Sequence, residues 1–144
     1  LRLNRRGAGM TKYVLPVRVY LEDTDAQGVV YNASYFRFME RARTEWLRAQ
    51  GVDHGQLLEE HGVVLVLASI EARFRAPAQL SDVLYVSAAV SEVRGARVRF
   101  VQEVRRNDAE GDVVCEGLAE VACKDARGGK PRRLPPALIS EWSA

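Results

Sequence analysis

The pattern of apolar and polar positions predicts one long helix near the middle of the chain. Between residues 32 and 51, apolar side chains recur at spacings of three and four, which is typical of a helix with one buried face. The helix should begin near Asn32 or Ala33, with Asn32 or Ser34 as the N-cap residue, and end at Gly51. The apolar stripe consists of Tyr35, Phe38, Met39, Ala42, Trp46 and Ala49.

Strands are predicted on both sides of this helix. The β-branched and aromatic stretch Val14 to Tyr20 precedes it. Four segments follow it, namely Val63 to Phe74, Val83 to Val93, Val98 to Val104 and Val113 to Lys124. The first of these opens with a nearly continuous apolar run, which is typical of a strand buried on both faces. Because the connections are short, we expect the successive strands to form an antiparallel meander, followed by a short C-terminal helix.

The last predicted strand indicates how the sheet and the helix pack. Its odd positions, from Val113 to Cys123, carry apolar and mostly small residues, whereas Glu116, Glu120 and Lys124 occupy even positions. A helix with bulky side chains can lie close against such a face. One helix laid flat cannot cover five strands, so the pattern favours an α+β fold in which the sheet curls around the helix.

The composition is typical of a soluble globular protein. A chain of 144 residues suits one domain, and 47% hydrophobic with 28% charged residues is an ordinary balance. A net charge of +2 does not indicate a nucleic-acid partner. No apolar run approaches the roughly 20 residues that a membrane-spanning helix needs. We therefore expect a single domain over residues 13–144, with no nucleic-acid partner and no membrane span.

Two further features concern the location of the protein. Residues 1–12 are basic but lack the apolar segment of a secretory signal, so we predict a disordered or expression-derived extension there. Cys115 and Cys123 lie eight residues apart in one predicted strand, a separation of about 26 Å that excludes a disulfide between them. Two buried free thiols favour a reducing compartment, and we expect the protein to be cytoplasmic.

The loop before the helix carries the candidate chemistry. It contains Asp23 and Asp25, and by residue type alone each could be a turn or capping residue. A carboxylate just before a helix start is also placed to act beside the positive end of the helix dipole. The residues alone leave both interpretations open.

A long block of sequence decides between them. From Val17 to Glu45 the chain resembles the signature of the 4-hydroxybenzoyl-CoA thioesterase-like family, and most closely its Tol–Pal-associated acyl-CoA thioesterase branch. The block reads Val17-Arg-Val-Tyr-Leu-Glu-Asp-Thr-Asp-Ala-Gln-Gly-Val-Val-Tyr-Asn-Ala-Ser-Tyr-Phe-Arg-Phe-Met-Glu-Arg-Ala-Arg-Thr-Glu. The resemblance continues through Arg75-Ala-Pro-Ala-Gln-Leu and Lys130-Pro-Arg-Arg-Leu-Pro. It implies a hotdog fold, in which a five-stranded antiparallel sheet wraps around one long central helix.

The resemblance also implies an assembly and an activity. Such proteins form homodimers by pairing sheets edge to edge, often as dimers of dimers, with active sites at the dimer interface. The implied reaction is hydrolysis of acyl-CoA thioesters, with Asp25 as nucleophile or general base. Backbone N–H groups near Tyr31, Asn32 and Ala33 would form the oxyanion hole, and Gly28 would allow the tight turn before them. No cofactor is expected, since coenzyme A is part of the substrate. No metal is expected either, since neither His54 nor His61 has a partner at metal-ligand spacing.

The positive residues offer a binding site for the phosphates of CoA. Lys130, Arg132 and Arg133 follow the last predicted strand, and Arg75 is a weaker candidate. Basic residues grip CoA phosphates, or those of a phosphopantetheine carrier, in relatives of this family. The alternative is a solvated surface with no ligand.

Some positions leave the function open. The nearest branch carries His where this chain has Asn32, and an amide can donate a hydrogen bond but cannot exchange protons near neutral pH. The alternatives are a thioesterase acting on acyl carrier protein and a non-catalytic module that binds an acyl ligand or a protein. Glu40 is expected to form ion pairs with neighbouring arginines on the helix. His54 and His61 are expected to have surface or capping roles.

Overall fold

A computed structural model of the protein describes residues 12–136. Within this range the chain forms five strands, two α-helices and one turn of 3-10 helix. In chain order they are β1 (Tyr13–Arg18), the 3-10 turn (Leu21–Asp23), α1 (Asn32–Ala49), α2 (His54–His61), β2 (Val63–Phe74), β3 (Val83–Arg94), β4 (Arg97–Arg106) and β5 (Val113–Asp125). The predicted N-terminal extension, apart from Lys12, and the predicted C-terminal helix lie outside the described residues.

All five strands belong to one antiparallel sheet with the order β1-β3-β4-β5-β2. The predicted meander is therefore correct for β3, β4 and β5 but wrong for β2, which pairs with β5 and not with the next strand in the chain. The connection after β2 crosses the end of the sheet. It is held there because the N–H groups of Arg75 and Ala76 both donate to the carbonyl of Val114.

The position of β2 at the sheet edge corrects a second prediction. Its apolar start was expected to be buried on both faces, and Val63 is indeed buried. Val66 and Leu67, however, are 41% and 45% exposed. The reason is that β2 has a neighbouring strand on one side only, and its pairing with β5 is interrupted by a bulge between Leu67 and Ser69.

Helix α1 fills the concave face of the sheet. Its apolar stripe is buried as predicted, except for Ala49, which is exposed at the last turn. Trp46 packs edge-on against Phe100 of β4, with 5.3 Å between ring centroids. The sheet curled around one central helix is the α+β hotdog arrangement, and this confirms the predicted fold class. No helix within residues 12–136 is long and apolar enough to cross a membrane.

The start of α1 differs from its prediction in detail. The N-cap residue is Tyr31, in an extended conformation, and no side chain of the described residues caps the helix. Asn32 is already the first helical residue. Ser34 is the third helical residue and so cannot be the N-cap, and its hydroxyl donates to the backbone carbonyl of Asp23 at 3.1 Å.

Strand β5 shows why its inward face carries small residues. A Cβ added to Gly117 would lie 2.7 Å from Sδ and 2.9 Å from Cε of Met39, which is fully buried in α1. Any larger residue would force the terminal atoms of the buried Met39 side chain to shift within the core. Cys115 and Cys123 on the same strand are buried free thiols, as predicted, and burial raises the pKa of Cys115 to about 12.

We expect Gly117→Ala to destabilise the protein by about 1–3 kcal/mol, because the added methyl group overpacks the contact with Met39. The matched control is Gly128→Ala in an exposed turn, where the new Cβ would meet only Asp125 Oδ2, at 3.8 Å. The control should change stability by less than about 0.5 kcal/mol. Urea unfolding at one fixed protein concentration measures both. Equal stability of the two variants would contradict the close packing of β5 on α1.

Candidate active site

The loop that carries the two aspartates is a small hairpin in front of α1. Thr24 and Val30 form an antiparallel bridge, and the N–H of Asp25 donates to the carbonyl of Val29 at 2.9 Å. The turn closes where the N–H of Gly28 donates to the carbonyl of Asp25 at 3.0 Å. Gly28 has a φ of +79°, which favours glycine, so the expected tight turn is present at this residue.

Asp23 fastens this hairpin to the first turn of α1. Its side chain is buried, and one carboxylate oxygen accepts the N–H of Tyr20 at 2.8 Å. Its other oxygen lies 3.4 Å from the guanidinium of Arg37. Its backbone carbonyl accepts the N–H of Tyr31 at 2.9 Å and the hydroxyl of Ser34 at 3.1 Å. Asp23 therefore orients the loop, and its geometry is that of a structural residue.

Asp25 has a different environment, although it lies only two residues away. Its side chain is exposed at the tip of the hairpin, where one carboxylate oxygen accepts the N–H of Gln27 at 2.8 Å. No cation among residues 12–136 forms an ion pair with it. A charged carboxylate on a backbone that several hydrogen bonds hold in place is suited to meet a ligand or a water molecule.

The start of α1, which follows the hairpin directly in the chain, supplies hydrogen-bond donors. Because no side chain among the described residues caps the helix, the N–H groups of its first turn have no partner within the helix and carry the positive end of its dipole. Tyr31 is not available, since its N–H is used by Asp23, and the N–H of Ser34 donates to the carbonyl of Tyr31. Of the predicted oxyanion donors, Asn32 and Ala33 remain, and both residues are exposed.

Comparison with known proteins identifies the family. Residues 19–142 match the family described as the Thioesterase-like superfamily. The chain belongs to this superfamily. The acyl-CoA thioester hydrolase YbgC of Escherichia coli is 40% identical over 132 residues, which are 92% of this chain and 96% of that protein. The acyl-CoA thioesterase YbgC of Haemophilus influenzae is 42% identical over 123 residues, or 85% of this chain and 88% of that protein.

A solved structure of a relative agrees with this assignment. The probable thioesterase of Bartonella henselae superimposes with a TM-score of 0.79 at 34% identity, covering 87% of this chain and all of that one (100%). The resemblance to the thioesterase family and the hotdog fold, both predicted from the sequence, are therefore confirmed.

The hairpin of this thioesterase lies at one end of the sheet. The N–H of Val30 donates to the carbonyl of Ala78 at 2.8 Å, and Val29 forms a bridge with Gln79. These contacts place Asp25 at the end where β2 finishes and β3 begins. Arg75 lies at the same end, but its guanidinium is engaged by Glu116 at 2.9 Å.

The other candidate phosphate ligands lie at the opposite end. The N–H of Asp125 donates to the carbonyl of Lys130, and the side chain of Arg132 donates to the carbonyl of His61 at 3.1 Å. Since Asp125 pairs with Val63 at the start of β2, about 36 Å of strand separates this end from Arg75. One subunit therefore does not bring Arg75 together with the other three basic residues, which are Lys130, Arg132 and Arg133.

Several polar contacts of α1 were missed or misassigned by the sequence pattern. Glu40 forms no ion pair with any described residue, so its predicted pairing with neighbouring arginines is wrong. Arg37 contacts Asp23 instead, and Arg43 donates to Gln102 of β4. The spacing of Ser34 and Arg37 on one helix face was the only signal, and it does not reveal which loop they meet.

The two histidines lie at the ends of α2. His54 is its first residue and is exposed, and His61 is its last residue. Among residues 12–136, no group of three His, Cys, Asp or Glu side chains is close enough together to hold a metal ion.

We expect Asp23→Ala to destabilise the protein by about 1–3 kcal/mol, because the N–H of Tyr20 then loses its acceptor in a partly buried position. Asp25→Ala removes one exposed turn hydrogen bond and should cost less than about 1 kcal/mol. Urea unfolding of the two variants measures the difference. A larger loss for Asp25→Ala than for Asp23→Ala would show that the structural and exposed roles are assigned to the wrong aspartates.

Proposed function

We propose that the protein hydrolyses acyl-CoA thioesters to the free acid and CoA, with Asp25 as the catalytic carboxylate. One observation carries the proposal. The exposed carboxylate of Asp25 is held by a hydrogen-bonded hairpin directly in front of a helix start that no described side chain caps. A thioester needs an attacking group and a place for negative charge on its carbonyl oxygen, and this arrangement offers both.

The reaction would begin with the thioester carbonyl at the N-terminus of α1. The N–H groups of Asn32 and Ala33 donate to the carbonyl oxygen and stabilise the negative charge that develops on it. Asp25 either removes a proton from an attacking water or attacks the carbonyl itself, forming an anhydride that water then hydrolyses. The carbon–sulfur bond breaks and CoA leaves as a thiolate. Because a thiolate is a good leaving group, this step needs no strong general acid.

The amide of Asn32 would take part by hydrogen bonding and not by proton transfer. Asn32 is the first residue of α1 and is exposed, so its side chain can donate to the substrate carbonyl beside the backbone groups. Asp25 is then the group that must handle the proton of the attacking water.

The proposal includes a homodimer formed through β2. A long edge strand with unpaired N–H and C=O groups and with exposed Val66 and Leu67 is a surface on which another strand can pair. A second copy paired antiparallel about the middle of β2 would join the two sheets into one. Dimers of dimers, which the family resemblance implies, would add a further interface.

Antiparallel pairing also gives the basic residues a role. It places the Val63 end of one β2 beside the Phe74 end of the other. Lys130, Arg132 and Arg133 of one subunit then lie at the same end of the joined sheet as Asp25 of its partner. Lys130 and Arg133 are exposed and form no ion pair within residues 12–136. They would bind the phosphates of CoA while the thioester reaches the opposite active site.

The same basic surface supports a second candidate substrate. Exposed basic side chains also suit a phosphopantetheine carrier protein, so acyl carrier protein is the second candidate for the group that holds the acyl chain.

Two buried free cysteines in β5 fit a reducing compartment, and we propose that the protein acts in the cytoplasm.

The test compares the wild type with Asp25→Asn on a panel of acyl-CoA thioesters, with release of the CoA thiol as the signal. We expect kcat to fall by about 10²- to 10⁴-fold with little change in KM, because the amide can neither accept the proton nor attack. The control is Asp112→Asn, another exposed aspartate, which lies just before β5 and should keep full activity.

Three outcomes would contradict parts of the proposal. Full activity of Asp25→Asn would reject this residue as the catalytic carboxylate. Hydrolysis of acylated carrier protein but not of acyl-CoA would favour the second candidate. Binding of acyl-CoA without hydrolysis by the wild type would instead identify a non-catalytic binding module.

A further inference from the structure

A cavity separates α1 from the β2 side of the sheet. Four residues at helical spacing line it from α1, namely Glu40, Arg43, Thr44 and Leu47. Leu47 belongs to the core, whereas Glu40, Arg43 and Thr44 are polar and lie outside the apolar stripe. The walls from β2, β4 and β5 are apolar, among them Leu65 and Phe100, and His54 of α2 adds one further polar side chain to the lining. The cavity volume is about 80 Å³, several times the roughly 10–15 Å³ that one water molecule needs.

Arg43 is held in this cavity by a fully buried partner. Its guanidinium donates to the side-chain oxygen of Gln102 at 2.9 Å. The amide nitrogen of Gln102 in turn donates to the carbonyls of Met39 at 2.9 Å and Ser87 at 3.2 Å. Both groups of this amide are therefore used, and its oxygen is fixed towards Arg43. The arginine is positioned by the core and differs in this respect from a freely moving surface residue.

The two charged side chains of the cavity, Arg43 and Glu40, form no ion pair with any described residue. No carboxylate of residues 12–136 lies within ion-pair distance of Arg43, and burial lowers the pKa of its guanidinium. The charge of Glu40 acts against this shift, so the two groups sense each other without direct contact. An alkyl chain entering here would remove water from both charged groups and give no hydrogen bond in return.

A hydroxyl group matches the hydrogen-bonding character of both residues. Its oxygen can accept from the guanidinium of Arg43, and its hydrogen can be donated to the carboxylate of Glu40. A carboxylate would pair with Arg43 but would be repelled by Glu40. Of the polar groups that an acyl chain can carry, a hydroxyl is therefore the best match to this pair of residues.

We propose that the cavity receives the end of the acyl group farthest from the thioester and selects acyl chains with a hydroxyl group there. This rests on the proposed function, in which the thioester lies at the start of α1. Glu40 follows Asn32 by eight residues, or about 12 Å along the helix axis. Short acyl groups cannot span this distance, so the selection applies to longer chains only.

The experiment compares alkanoyl-CoA with ω-hydroxyalkanoyl-CoA at matched chain lengths, from hexanoyl to tetradecanoyl. For the wild type we expect kcat/KM to favour the hydroxylated chain by about 10- to 100-fold once the chain is long enough, since hydrogen bonds to charged groups are of this strength. The shortest pair should show a ratio near one. Arg43→Met should reduce the ratio of the long chains to about one.

Two further variants separate selectivity from folding. Arg41→Met is the matched control, because Arg41 is an exposed arginine of the same helix whose guanidinium lies over the ring of Phe38 and outside the cavity. It should keep the wild-type ratio. Glu40→Gln replaces an exposed side chain, so it should fold normally and lower the preference for the hydroxyl group.

Binding measurements distinguish this inference from the proposed function. Non-hydrolysable CoA thioethers of the same chains, titrated by calorimetry, should show the same preference in Kd. Hydrolysis of both chains with equal kcat/KM at every length, or a preference that survives in Arg43→Met and Glu40→Gln, would overturn the selectivity and leave the proposed function standing. Tighter binding of the hydroxylated thioether without hydrolysis of any thioester would support the selectivity and overturn the proposed function.

Discussion

The structure depends on one constraint, which is that a single long helix must cover five strands. The sheet curls around α1, and it can do so because β5 carries Gly117 where Met39 makes its closest approach. Even so, α1 packs mainly against the β1–β3 side, and a cavity is left beside β2. The exposed apolar residues of β2, the cavity and the proposed second copy all follow from this unequal coverage.

The same helix links the fold to the chemistry. Its first turn holds the hairpin through Asp23 and Ser34, and the N–H groups that this contact leaves free lie in front of Asp25. Any change that shifts the start of α1 therefore moves the carboxylate and the proposed oxyanion donors together. This explains why two aspartates separated by one residue differ so strongly, one buried as an anchor and the other exposed at the tip.

Sequence patterns predicted what depends on local periodicity. The apolar stripe predicted α1, and the small residues on the inward face of β5 predicted its close packing on the helix. Both patterns reflect burial on one face. The apolar start of β2 was misleading, because an edge strand can carry the same apolar run as a strand buried within the sheet. The anchor of Asp23 on Arg37 and the separation of Arg75 from Lys130 depend on tertiary arrangement and have no local pattern. Asp25 stood out only through the family resemblance.

The most direct test of the account concerns Ala68 at the edge of the sheet. Ala68 lies at the bulge in the β2–β5 pairing. Proline is tolerated at bulges of edge strands but cannot donate to an added strand, so Ala68→Pro should block that addition. Ala68→Ser keeps the N–H and is the control. Sedimentation and acyl-CoA hydrolysis should show an active dimer for the wild type and Ala68→Ser, and a folded, inactive monomer for Ala68→Pro. A fully active monomer, in the proline variant or the wild type, would contradict the account.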